Sequence, residues 1–291
     1  MSSFNIIVMG FGKMPADCTN ILLSENVPVQ CIWETEQSGL PTLEGLCARF
    51  DIPFERPSRN KTTALLNSLT DPTVVFSINN NYLFPETVLK KDNLRIINFH
   101  NSLLPSYPGH GRSTTTWAIF NGESRHGVTW HLVNAGIDNG DILRQEEFSI
   151  SETDTALKVM MRAISLGTDI FSRYWQTFIS PECTGRPQGP GQGRMCKRND
   201  IPNNGYIETS WDFDLMGRFL RSTDYGPFKL MPSPKISING EIYVAPRYEI
   251  NKETRPGGRE LLLKRSSDGN LNEAEFIYKQ GRIRLFLQKE A

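Results

Sequence analysis

The chain has no excess of either charge. Lys+Arg and Asp+Glu each number 32 among its 291 residues, so the formal net charge is zero. A surface built to grip a polyanion usually shows a basic excess, which disfavours a nucleic-acid partner. Residues 182–291 lean only slightly the other way, with 18 Lys/Arg against 14 Asp/Glu. Cysteine is equally uninformative as a framework. Cys18, Cys31, Cys47, Cys183 and Cys196 are odd in number and none form a C-x-x-C pair, which argues against disulfides and against structural zinc. The four histidines, His100, His110, His126 and His131, are not spaced as metal ligands, and no metal is expected. No apolar run approaches membrane-spanning length, and Met1-Ser2-Ser3-Phe4 does not open a signal peptide. A cytoplasmic protein without a membrane partner is the expectation.

Two familiar motifs are also incomplete. Gly10-Phe11-Gly12 is followed by Lys13, Met14 and Pro15, so the third glycine of a dinucleotide fingerprint is missing. It reads as a tight strand-to-helix turn, whose helix N-terminus could still favour a phosphate. No G-x-S-x-G elbow surrounds Ser102 or Ser106, and Ser102 is expected to bond the backbone of its turn.

What is present is an alternation of short apolar runs and amphipathic stretches. Strands are expected at 4–9, 27–33, 73–78 and 94–99, with helices at 15–24, 41–50, 62–69 and 85–90 between them. Such alternation predicts an α/β fold: a Rossmann-like, open, mostly parallel sheet with helices on both faces. A helix at 113–121, strands at 127–133 and 141–150, and a long helix at 151–178 opened by the box Ser151-x-x-Asp154 complete this part. The Gly- and Pro-rich stretch from Cys183 to Arg194 reads as a linker. Beyond it come one helix near 211–222, capped by Ser210 or Asp212, a hairpin around Asn239-Gly240 and another around Gln280-Gly281. The expected organisation is a catalytic domain at 1–181, a linker at 182–204 and a small, mostly-β C-terminal accessory domain at 205–291.

The densest chemistry lies in Asn98-Phe99-His100-Asn101-Ser102-Leu103-Leu104-Pro105 and, about forty residues on, Gly136-Ile137-Asp138-Asn139-Gly140-Asp141. Alternate strand positions face one side, so Asn98 and His100 share a face. A lone Asn-x-His at a strand end commonly serves a turn. The rigid Leu-Leu-Pro exit and a carboxylate on a Gly-flanked loop raise it to a candidate site. Amide, imidazole and carboxylate are a working set for acyl transfer: an oxyanion donor, a proton carrier and an acid that orients the carrier. His110 and Gly111, in the loop after the motif, are candidate substrate contacts. His126 follows charged residues and is expected at the surface, and His131 on a sheet face.

These segments resemble the signature of the formyltransferases that use 10-formyltetrahydrofolate. The resemblance covers roughly residues 4–180. It implies N-formyl transfer from that folate co-substrate to a primary amine, with Asn98, His100 and Asp138 matching the family's catalytic residues. It also implies a folate site made by Asn81, Tyr82 and Leu83, by Leu104, and by the loop Val133, Asn134, Ala135, Gly136 and Ile137. Residues 113–118 and 126–131 look most similar to formylation domains of peptide synthetases, which ranks an amino acid or carrier-protein-bound aminoacyl amine first. A nucleotide-linked aminosugar ranks second and methionyl-tRNA third. A formyltetrahydrofolate hydrolase would use the same three side chains, but such enzymes carry a domain ahead of the core, whereas the first strand here is expected from residue 4. The oligomeric state is not legible.

Overall fold

The computed structural model describes residues 4–35, 43–189 and 193–290. Its first sheet is built from β1 (Asn5–Gly10), β2 (Cys31–Glu34), β3 (Phe54–Glu55), β4 (Thr73–Ile78), β5 (Leu94–His100), β6 (Arg125–Leu132) and β7 (Ile142–Ser149). The strand order is β3-β2-β1-β4-β5-β6-β7. Strands β1 to β5 run parallel, and β6 joins β5 antiparallel. This is the open, mostly parallel sheet that the alternating pattern predicts. The helices are α1 (Lys13–Ser24), α2 (Glu44–Phe50), α3 (Arg59–Ser68), α4 (Glu86–Leu89), α5 (Gly111–Phe120) and α6 (Ala156–Ile179).

Strand alternation explains how both faces are covered. In β1, Ile6 and Val8 enter one apolar cluster with Cys18 and Leu22 of α1 and with Ile170 and Phe171 of α6. The intervening Ile7 and Met9 enter another with Leu66 of α3 and Val88 of α4. The same parity runs through β5, where Ile97 and Phe99 join the first cluster and Ile96 the second. Asn98 and His100 therefore share the side of Ile96. The α6 backbone comes close to β5 at Gly167, where an added Cβ would lie 2.2 Å from the Phe99 ring.

The second sheet contains β8 (Tyr206–Ile207), β9 (Lys235–Ile238), β10 (Glu241–Lys252), β11 (Glu260–Arg265), β12 (Leu271–Tyr278) and β13 (Gly281–Lys289), in the order β11-β12-β13-β10-β9-β8. Helix α7 (Phe213–Thr223) places Phe213, Met216, Phe219 and Leu220 in a core shared with Phe276, Ile283 and Leu285. The side chain of Asp212 caps α7 by accepting from the Leu215 amide at 2.7 Å.

The compact units do not follow chain order. One comprises residues 1–111, 127–148 and 161–195, the other 112–126, 149–160 and 196–291. The division expected at 181 and 204 is sequential, whereas packing assigns residues 112–126 and 149–160 to the C-terminal unit. The long helix begins at Ala156 rather than at residue 151. In the preceding turn, Asp154 accepts from the Ser151 amide at 2.7 Å. Part of the helix expected at 41–50 falls on residues 41 and 42, outside the described residues. His126, expected at the surface, is 2% exposed, because β6 buries its position.

Candidate active site

The C-terminal ends of parallel strands are where an open α/β sheet binds ligands. Here β4 ends at Ile78 and β5 at His100, with Ser77 beside Asn98 in register. On the other side, the antiparallel register sets Asn98 against His131 and His100 against Thr129. A chain of polar groups follows from this register. Asn80 Nδ2 donates to Ser77 Oγ at 3.1 Å, and Ser77 Oγ donates to Asn98 Oδ1 at 2.8 Å. The amide of Asn98 therefore presents Nδ2 to His131 Nε2, 3.1 Å away. His131 Nδ1 lies 2.8 Å from the Leu132 carbonyl, which can only accept. Nδ1 must therefore carry a proton, while Nε2 faces both the Asn98 amide and the Asp138 carboxylate.

Asp138 closes the group. Its Oδ2 is 3.4 Å from His100 Nδ1 and its Oδ1 is 3.5 Å from His131 Nε2. The Gly109 amide donates to Oδ2 at 2.8 Å. Asp138 sits in the left-handed region at φ +50, a conformation that Asp tolerates better than most residues. Its loop turns tightly through Gly140, where an added Cβ would stand 1.8 Å from the Leu132 carbonyl oxygen. Thus the structure brings Asn98, His100 and Asp138 together, and His131 links the first to the third.

The electrostatics follow from burial and from those contacts. Burial pushes the Asp138 carboxyl upward, but His100, His131 and the Gly109 amide together hold it well below the usual carboxylate range. Burial lowers the pKa of the His100 ring, against the pull of Asp138. His100 Nε2 donates to the Tyr107 carbonyl at 2.7 Å, and Ser102 Oγ donates to the same oxygen at 2.6 Å. The latter is the turn bond expected of Ser102. Both ring nitrogens of His100 are therefore directed at protein groups.

The remaining candidate residues occupy several environments. Tyr82 is buried, its hydroxyl 2.7 Å from Thr63 Oγ1 and its ring in the cluster on which Val133 packs. Its side chain is core, and its backbone amide donates to Asn80 Oδ1 at 3.0 Å. Leu104 is buried, and its carbonyl accepts from Gln145 Nε2 at 2.9 Å. Leu83 and Ile137 are 59% and 48% exposed. Asn134 and Ala135 are exposed, and Asn134 Oδ1 accepts from the Gly136 amide at 3.0 Å, a local turn bond. Asn81, His110 and Gly111 are partly buried, and the Gly111 carbonyl accepts from Asn101 Nδ2 at 3.1 Å.

Two further residues support this group without having stood out in the sequence. His131 appeared as a sheet-face residue, and only the β5–β6 register reveals its tie to Asn98. Gln188 lies in the stretch read as a linker. Its Nε2 donates to the carbonyls of Asp138 and Gly140, at 2.7 and 2.8 Å. The segment reaches that position because Arg186 and Ile142 exchange backbone bonds of 2.8 and 2.9 Å. Further back, Arg95 Nε donates to the Phe178 carbonyl at 2.7 Å, and the same guanidinium holds the Cys183 carbonyl. Among the described residues, no cluster of His, Cys, Asp or Glu is arranged to hold a metal. None of their helices is long and apolar enough to cross a membrane.

Comparison with known proteins gives this geometry a context. The chain is 28% identical over 261 residues to a GDP-perosamine N-formyltransferase of Brucella melitensis, spanning 87% of this chain and 96% of that protein. It is 26% identical to a methionyl-tRNA formyltransferase of Alkaliphilus oremlandii, over 63% of this chain and 62% of that protein. In fold it is similar to an N-formyltransferase of Helicobacter canadensis, solved with folinic acid and dTDP-3-aminofucose. That match has a TM-score of 0.74 at 19% identity and covers 99% of this chain and 100% of the other. Residues 35–174, which include Asn98, His100, His131 and Asp138, match the model of the formyl transferase family. Residues 35–174 belong to that family.

Proposed function

We propose that this formyltransferase moves a formyl group from 10-formyltetrahydrofolate to the amine of a nucleotide-linked aminosugar. The observation that carries the reaction is the polar group formed by Asn98, His131, Asp138 and His100 at the end of β5. The aminosugar displaces the aminoacyl amine ranked first from short segments. Similarity to an aminosugar enzyme runs along nearly the whole chain, whereas the methionyl-tRNA match spans about two thirds of it. The zero net charge also disfavours tRNA.

The residues fit a folate. The exposed Leu83 and Ile137 offer apolar surface to a flat ring, and Asn98 carries an oriented amide. When bound, the folate supplies the formyl group on N10 and takes up a proton there as it leaves. Asn98 Nδ2 has two protons and gives one to His131, so the second is directed at a formyl oxygen. Such a donor is worth about 3 kcal/mol where negative charge develops. Asp138, ionised before attack, accepts the proton released by the attacking amine, directly or through water, and passing that proton on supplies the one N10 takes up. His100 reaches the formyl oxygen only by exchanging the Tyr107 carbonyl for it.

The test is turnover with 10-formyltetrahydrofolate and a panel of acceptors. The panel comprises nucleotide-linked aminosugars, carrier-bound aminoacyl groups, methionyl-tRNA and no amine. Tetrahydrofolate formed only with a nucleotide-linked aminosugar is the expected result. Release without an amine would mark a hydrolase, and a requirement for carrier or tRNA would overturn the acceptor.

A further inference from the structure

Strand β4 is buried at all six positions, yet its fifth residue, Ser77, is polar and only 2% exposed. A hydroxyl sealed inside a sheet costs stability unless its hydrogen bonds are made. Parity fixes the side it faces. Val75, two positions earlier, joins the cluster of Ile96, so Ser77 shares the side of Asn98, its neighbour in register. The bonds around Ser77 run in one direction. They begin at the Tyr82 amide, which donates to Asn80 Oδ1. A backbone N–H can only donate, so this bond fixes which end of the Asn80 amide is oxygen. Asn80 Nδ2 then faces Ser77 Oγ, and the single hydroxyl proton is left for Asn98 Oδ1. The starting point is itself anchored, because the Tyr82 ring lies in the core and its hydroxyl meets Thr63 Oγ1.

We propose that Ser77 and Asn80 are positioning residues for formyl transfer. They carry the direction of the Tyr82 amide to Asn98, so that its Nδ2 and not its Oδ1 faces the formyl oxygen. The inference rests on Asn98 being the donor to that oxygen. The two ends of an amide fill nearly the same volume, so packing alone does not choose between them. A flipped Asn98 would set lone pairs against developing negative charge. Each link donates in the same direction as the last, and bonds aligned in this way strengthen one another. The Asn98 amide is thereby a better donor than an isolated one. The pair acts from the opposite end of that amide to His131, which meets Nδ2. The chain can double back because Asn79 takes the left-handed conformation at φ +56, which lets Asn80 reach Ser77 three residues behind it.

Isotope-edited infrared spectroscopy on the full chain tests this without any amine acceptor. The probe is an oxidation-stable deaza analogue of 10-formyltetrahydrofolate, labelled with carbon-13 in its formyl group. A donor to the formyl oxygen lowers the carbonyl stretch. Asn98→Ala should therefore raise the stretch of the bound probe. Ser77→Ala should raise it part of the way, and the dissociation constant of the probe should stay the same in both. Asn80→Asp still accepts from Tyr82 but no longer donates. Its carboxylate draws the Ser77 proton to itself, in a charge-assisted bond about twice as strong as a neutral one. Asn98 then turns Nδ2 toward Ser77 and Oδ1 toward the probe. Asn80→Asp should thus raise the stretch more than Asn80→Ala, which reverses nothing. In the Ser77→Ala background, Asn80→Asp should add no further shift, since no hydroxyl remains to turn. Circular dichroism checks that each variant folds, and the half-buried Asn80 supplies a second pair of variants if Ser77→Ala unsettles the sheet. A stretch unmoved by Asn98→Ala would sink the donor reading itself. A stretch that Asn98→Ala moves and Ser77→Ala does not, or a larger shift in Asn80→Ala than in Asn80→Asp, would mean that Ser77 and Asn80 serve packing alone, and would overturn the inference.

Discussion

Two charged networks in this molecule use similar side chains to opposite ends. On β10 to β13, Glu249, Glu273 and Glu275 interleave with Lys264, Arg282 and Arg284 at separations of 2.6 to 3.5 Å. Every carboxylate there neighbours a permanent cation. At the end of β5, the carboxylate of Asp138 instead lies between two imidazoles and one backbone amide, and no Lys or Arg among the described residues pairs with it. The first arrangement fixes charge. In the second, the neighbours are imidazoles and a backbone amide rather than permanent cations, so the same ion-pair physics yields a group suited to passing protons. The second is also buried, where each contact is screened less than at the surface.

The largest expected effect comes from removing the charge at the centre of the buried network. Asp138→Asn preserves shape, and its amide oxygen can still accept from Gly109. It should lower kcat on the order of 10²–10⁴-fold while folate affinity changes little. His100 should respond as well. Asp138 opposes the burial that lowers the pKa of this ring, so the variant should lower it further, as read by NMR titration of the imidazole. Stability gives a second readout with a definite sign. The native carboxyl is held below its unfolded value, so its contribution is complete above about pH 4 and shrinks as pH falls further. The difference in Tm between wild type and Asp138→Asn should narrow on acidification. A variant with near-normal turnover would erase the functional side of the comparison.

His131→Phe comes next. It keeps a ring on β6 but removes the acceptor that orients Asn98 and the contact to Asp138. Misdirecting one oxyanion donor should cost roughly 10²-fold in kcat, with little change in the KM for folate. His131→Gln, which can accept from Asn98, should recover part of the loss. Equal activity of both variants would show that the ring serves packing alone.

How much of this was legible follows from distance along the chain. The strand at 73–78 was readable to the residue, because all six of its positions are buried and bounded by turn residues. Asn98 and His100 were readable as a pair because strand parity is local. Asp138 was marked by its flanking glycines and by family resemblance. His131 was not tied to Asn98, because that link depends on an antiparallel register across 33 residues. Strand β11 escaped because its three consecutive leucines do not alternate with polar residues as a half-buried strand does. Strand β10 runs to Lys252, well past the expected hairpin, through a register shift between Val244 and Arg247 that Pro246 would have argued against. Gln188 was hidden by its surroundings: Gly and Pro mark irregular backbone, but composition does not show that an irregular segment straps a functional loop.

That strap supplies a smaller effect. Two neutral hydrogen bonds hold the Asp138 loop through Gln188, each worth about 0.5–1.5 kcal/mol. Gln188→Ala should therefore lower kcat by roughly ten-fold, with folate affinity retained. Gln188→Glu replaces the donor with an anion facing two carbonyls and should be worse than Ala. The reverse ranking would mean that volume rather than the amide matters.

The smallest effect tests the other side of the comparison. Glu273→Gln removes one charge from the ladder, where Glu273 meets Lys264 and Arg284 at 2.6 and 3.1 Å. Arg284 retains Glu249 and Glu275 as partners. Lys264 is half exposed, so water screens much of what the pair gains. The loss of stability should stay below about 1 kcal/mol in denaturant titration and should diminish with added salt, with turnover unchanged. A loss of several kcal/mol would mean that this ladder is as tightly coupled as the network around Asp138. Burial and titratable partners would then no longer separate the two.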